Sequence, residues 1–138
     1  MANRLTKGKG LFGSLRTSGP VRAANMSRYC AANTVADGAS MVISAAQAYT
    51  DGIVTATPTT ARNIQAPTAA SIIALANGYA VGDTFEFTIV NLSASAAALT
   101  LTVNTNLTIV GSAAVASASS GSFLARIASA TTVVLYRK

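Results

Sequence analysis

From about residue 40 onward, apolar and polar positions alternate with a period of two, the pattern of half-buried strands. The clearest run is Thr84-Phe85-Glu86-Phe87-Thr88-Ile89-Val90, which puts Phe85, Phe87 and Ile89 on one face and Glu86 and Thr88 on the other. Leu99, Leu101 and Val103 repeat it with Thr100 and Thr102 between them, and Phe123, Ala125 and Ile127 repeat it again. Shorter strands are predicted over 40–48, 53–57, 62–65, 107–110 and 132–136. Turn signals separate them: Asp51-Gly52, Pro67 and Asn104-Thr105-Asn106. Short strands at this spacing describe an all-β sandwich or barrel. Its core is predicted to hold Phe85, Phe87, Ile89, Leu101, Phe123 and Ile127.

One segment departs from this period. Residues 67–78 read as a short helix that opens at Pro67 and stops at Asn77-Gly78. Ile72, Leu75 and Ala76 are predicted to share its buried face. Residues 92–98 and 112–121 are Ala/Ser runs with little bulk to pack. They read as loops or as flat sheet edges laid against another subunit.

Charge divides the chain in two. Residues 1–30 hold Arg4, Lys7, Lys9, Arg16, Arg22 and Arg28 and no acid, so the whole net charge of +6 sits there. The remainder balances Arg62, Arg126, Arg137 and Lys138 against Asp37, Asp51, Asp83 and Glu86. The expected organisation is an extended basic arm over 1–39 and a β-sandwich domain over 40–138. The arm's cations suit an acidic partner surface; the plain alternative is a solubilising tail. Charged residues make up 10% of the chain, against roughly 25% in an ordinary soluble domain. So few charges leave a surface of Ala, Thr, Ser and exposed apolar groups, which favours close association with other copies.

The same composition limits the chemistry. There is no His and a single Cys, so His-based triads and thiolate zinc sites are excluded. The four acids sit singly: Asp37-Gly38 and Asp51-Gly52 read as turns in which Asp bonds its own backbone, Asp83 opens a strand, and Glu86 faces outward. Cys30 reads as a small packed hydrophobe. Gly8-Lys9-Gly10-Leu11-Phe12-Gly13 matches a dinucleotide fingerprint in letters only, for it lacks the preceding strand and the following helix. The sequons at Asn25, Asn91 and Asn106 read as coincidental. No catalytic residue, metal site or cofactor is expected. The arm's aromatics are Phe12 and Tyr29 alone, which makes no stacking platform, so nucleic acid is not expected as a sequence-specific partner, while sequence-blind electrostatic contact stays open. No membrane span and no secretory leader are expected.

The stretch from Thr59 to Lys138 carries Thr-Thr-Ala-Arg-Asn-Ile, Ala-Pro-Thr-Ala-Ala, Val-Gly-Asp-Thr-Phe-Glu-Phe with Asn91, Val-Gly-Ser, Ser-Ser-Gly-Ser-Phe and a last strand ending Val-Val-Leu-Tyr. It resembles a small β-sandwich module of tailed-bacteriophage virion proteins, the cyanophage-like capsid decoration or cement proteins among them. The resemblance implies a jelly-roll-like homotrimer seated on the outer capsid shell, with the major capsid protein as its partner. On that reading the chain is a non-enzymatic structural protein of the virion, and Arg4, Lys7, Lys9, Arg16, Arg22 and Arg28 carry attachment. Two other readings stand beside it. One is a shell-forming capsid protein whose basic arm faces nucleic acid. The other is a fibre or spike module that binds glycans.

Overall fold

The structure is a computed structural model and describes residues 30–76 and 79–138. It is mostly β and holds two sheets. Ten strands run in order: β1 (Ala31–Val35), β2 (Met41–Val42), β3 (Gly52–Ala56), β4 (Arg62–Gln65), β5 (Thr84–Asn91), β6 (Leu99–Thr102), β7 (Leu107–Val110), β8 (Ala114–Val115), β9 (Ser119–Ile127) and β10 (Val133–Arg137). One α-helix, α1 (Ala69–Leu75), lies between β4 and β5. The larger sheet has the order β1-β3-β5-β9-β10-β7 and the smaller the order β2-β4-β6-β8.

The chain alternates between the two sheets from β1 to β8. Through β6, each return to a sheet lays the new strand parallel to the last one there, so β1, β3 and β5 run parallel, as do β2, β4 and β6. Parallel neighbours need a crossover; here the crossover passes through a strand of the opposite sheet. Among the described residues, antiparallel pairing appears only where β9 joins β5 and β10, and where β8 joins β6. A jelly roll consists of antiparallel Greek keys, so these pairings depart from the expected connectivity while keeping its two sheets.

Strand β1 falls inside the stretch assigned to the arm by sequence. It pairs with β3 and buries Val35, so the folded body starts before residue 40. Arg4, Lys7, Lys9, Arg16, Arg22, Arg28, the glycine-rich match and Asn25 lie outside the described residues.

The strand expected over 40–48 is corrected. It lasts for Met41 and Val42, and a π-helical turn, Gln47–Asp51, follows. Ser44 and Gln47 cap each other: the Ser44 N–H donates to Gln47 Oε1 at 2.8 Å and the Gln47 N–H to Ser44 Oγ at 3.2 Å. This is the reciprocal box that opens a helix. Gly52 closes the turn at φ 80, its N–H donating to the Gln47 carbonyl. Asp51-Gly52 is therefore a helix stop.

Helix α1 opens two residues later than expected. Thr68 caps it by accepting from the Ser71 N–H at 3.1 Å, and Pro67 lies outside. Ile72 and Ala76, four apart, are buried. Leu75 is 45% exposed, which corrects its place on the inner face. A short helix buries a narrow stripe, and Leu75 lies beside it.

Both sheets feed one buried cluster. The larger contributes Val54, Phe87, Ile89, Phe123, Ile127 and Leu135; the smaller contributes Met41, Ile64, Leu99, Leu101 and Val115. Five of the six expected core residues are buried in it. Phe85 is the exception: it is half-buried at one end of the sheet. Val103 is 52% exposed because β6 ends at Thr102.

A candidate interaction surface

Strand alternation sends every second side chain of the larger sheet away from the core. On that outer face Ile53, Thr88 and Ser122 form one cross-strand row. Leu124, Tyr136 and Val110 form another. Hydroxyls are paired within the face: Thr34 with Thr55 at 2.9 Å and Thr88 with Ser122 at 2.8 Å. Glu86 and Lys138 make an ion pair across it at 2.9 Å. Arg126 stands opposite Thr84 and Val134.

The edges of this sheet are less protected than usual. Sheet proteins blunt exposed edges with charge, proline or brevity. Strand β1 reads Ala-Ala-Asn-Thr-Val and β7 reads Leu-Thr-Ile-Val, with neither charge nor proline in either. The smaller sheet ends in β2 and β8, which are short and also uncharged.

The remaining charges hold the body together. Asp37 bonds residues distant in sequence: Oδ2 accepts from Thr59 Oγ1 at 2.7 Å and from the Thr59 N–H at 3.1 Å, and Oδ1 accepts from Arg62 Nε at 2.9 Å. Asp51 accepts from Asn33 Nδ2 at 2.7 Å. Both were expected to bond their own turns. Asp83 does so, accepting from the Ala80 N–H at 2.8 Å.

The Thr59 hydroxyl and N–H, then Arg62, lower the Asp37 pKa from 3.8 to about 2. A depressed carboxyl pKa adds stability above the unfolded value and loses it as pH falls through the folded one. Between about pH 4 and pH 2 the melting temperature of the native protein should therefore fall more steeply than that of Asp37→Asn. Parallel curves in a thermal scan would show that this contact carries no linkage.

Arg137 closes the end of the larger sheet. Its guanidinium lies 5.1 Å from the Phe123 ring centre, Nη2 donates to the Ser120 carbonyl at 3.5 Å, and Nη1 is buried without a partner. Its side chain runs where a Cβ on Gly111 or Gly121 would stand, and Gly111 also has φ +94. The glycines of Val-Gly-Ser and Ser-Ser-Gly-Ser are thereby explained as the cradle of one arginine.

One sequence reading changes here, and another gains a physical reason. Cys30 is exposed rather than packed, since it precedes β1 and lies outside the sheet. Asn91 is buried, with Nδ2 donating to the carbonyls of Ala97 at 2.8 Å and Val115 at 3.2 Å, so its sequon is closed in the folded protein. Among the described residues no three His, Cys, Asp or Glu side chains come together as metal ligands, and no helix is long and apolar enough to cross a membrane. Comparisons with family models, curated proteins and solved structures find no match to this chain.

Proposed function

We propose that this chain is a non-enzymatic structural protein of a phage virion, a decoration protein that binds the outer capsid surface as an oligomer and stabilises the shell. The observation that carries this reading is the uncharged edge of the larger sheet on both sides. Uncharged, proline-free edges favour pairing with another chain. The neighbouring face, where Thr and Ser hydroxyls alternate with Ile53, Leu124, Tyr136 and Val110, adds area to such a contact. The basic segment suits an acidic capsid surface. Several copies of it in one oligomer would bind together with an avidity that a single copy lacks. A trimer is the number the resemblance suggests.

Native mass spectrometry of the full chain tests the assembly. The expected result is one discrete oligomer free of nucleic acid. Ala32→Lys with Thr108→Lys places a cation on each edge strand, at exposed positions that a fold tolerates; this variant should be monomeric. A monomeric native protein would overturn the self-association. Neutralising Arg4, Lys7, Lys9, Arg16, Arg22 and Arg28 to Gln should leave the oligomer intact and weaken its co-sedimentation with capsid shells on the order of 100-fold. Unchanged co-sedimentation would remove the arm from attachment.

A further inference from the structure

At the end of the larger sheet where β3 and β5 begin and β9 stops, a cleft of about 400 Å³ is lined by Tyr49, Tyr79, Asp83, Thr84, Phe85 and Ile127. Three of the six aromatic residues among the described ones meet there, none of them fully buried. We infer that this cleft is a binding site for a neutral sugar residue. The inference rests on the cleft alone and goes beyond the capsid-binding role.

The walls are held before any ligand arrives. The Tyr49 ring stands edge-on to Phe85, with centres 4.9 Å apart and planes at 70°. The loop ahead of β5 is tied down by the Asp83 N–H to the Ala80 carbonyl at 3.0 Å, the Gly82 N–H to the Ile127 carbonyl at 2.8 Å, and the Ile127 N–H to the Asp83 carbonyl at 3.0 Å. Asp83 Oδ2 is occupied by the Ala80 N–H, which leaves Oδ1 to accept from a ligand. Gly82, at φ +101, is exposed and has nothing within 4 Å of where a Cβ would stand, so the loop is open to solvent there.

The lining selects the ligand by its chemistry. A sugar ring has an apolar C–H face and a rim of hydroxyls. Aromatic side chains offer a rigid apolar surface for the first. The Tyr79 and Thr84 hydroxyls donate or accept, and the Asp83 carboxylate accepts only, which suits the second. Among the described residues no Lys or Arg lines the cleft, so a phosphate, sulfate or sialic acid would meet the charge of Asp83 without compensation from them. The volume is at the small end for ligand clefts, which fits a ring or two rather than a long chain.

Saturation-transfer NMR on the full chain tests this, with glucose, galactose, mannose and N-acetylglucosamine as probes, and choline and sialic acid as the competing chemistries. The expected result is transfer to at least one neutral sugar, with amide shifts confined to residues 82–85 and 127. Tyr79→Ala should abolish the transfer. Asp83→Asn keeps an acceptor for the Ala80 N–H, so the loop holds, and should weaken binding about tenfold, the loss of one charged hydrogen bond. Absence of transfer to every neutral sugar overturns the proposal, as does binding of choline or sialic acid alone. Transfer that survives in both variants also overturns it. Oligomeric state is read separately, so failure here leaves the proposed assembly standing, and the reverse.

Discussion

Phe123→Ala should destabilise the protein by about 3–5 kcal/mol, read as a shift in the urea midpoint. Phe123 is fully buried on β9, between β5 and β10. It stands directly opposite Phe87 in register, the two rings stacked at 5.5 Å and 20°. Truncation removes the burial of a large ring and leaves a cavity that central strands cannot collapse to fill. It also strips Arg137 of the ring beneath its guanidinium, whose Nη1 is already buried without a partner. Phe123→Leu, which keeps most of the volume, should cost less than about 1.5 kcal/mol. A loss under about 1 kcal/mol for the alanine variant would mean that the two rings do not anchor this core.

Asn91→Asp should cost about 3 kcal/mol at neutral pH, although the side chain keeps its shape. Asn91 ends β5 and holds three backbone groups: the carbonyls of Ala97 and Val115 accept from Nδ2, and the Ser93 N–H donates to Oδ1 at 3.1 Å. It therefore ties β5 to β8 and to the loop ahead of β6. Aspartate removes both donors and turns a negative charge toward two carbonyls in a buried site. Such a carboxyl has its folded pKa raised above the unfolded one. Stability is then retained below the unfolded pKa and lost as pH rises through the folded value. The gap between Asn91→Asp and the native protein should narrow on acidification, as measured by thermal melts at about pH 4 and pH 7. A gap independent of pH would place the aspartate in solvent.

Strand positions were legible wherever bulk and polarity alternate. Arg62–Gln65 and Leu107–Val110 match their expected limits, and the long run beginning at Thr84 extends by one residue to Asn91. Alanine blurs this signal, since it suits either period. Over residues 40–48 the apolar letters continue past Val42, which extends the expected strand beyond its observed end. The overlooked signal was Ser44 with Gln47 three residues later, a helix-opening pair written in the sequence. The direction of strand pairing was not legible, because parallel and antiparallel strands share the same period of two.

The sites divide in the same way. The partners of Asp37, Thr59 and Arg62, lie 22 and 25 residues away, so its Asp-Gly dipeptide suggested a local turn instead. The reason for Gly111 and Gly121 is likewise distant in sequence, since the Arg137 side chain lies over both. Tyr49, Tyr79 and Phe85 become neighbours because three separate segments end at one rim of the sheet. By itself the sequence determined a mostly β chain, the positions of most strands, the buried rings of Phe87 and Phe123, and the segregation of net charge ahead of the body, since these follow from local periodicity and composition. Only the tertiary structure decided the parallel coil between two sheets, the uncharged edges, the arginine cradle and the aromatic cleft. Each of these depends on which distant strands meet, and that is settled by the packing of one shared core.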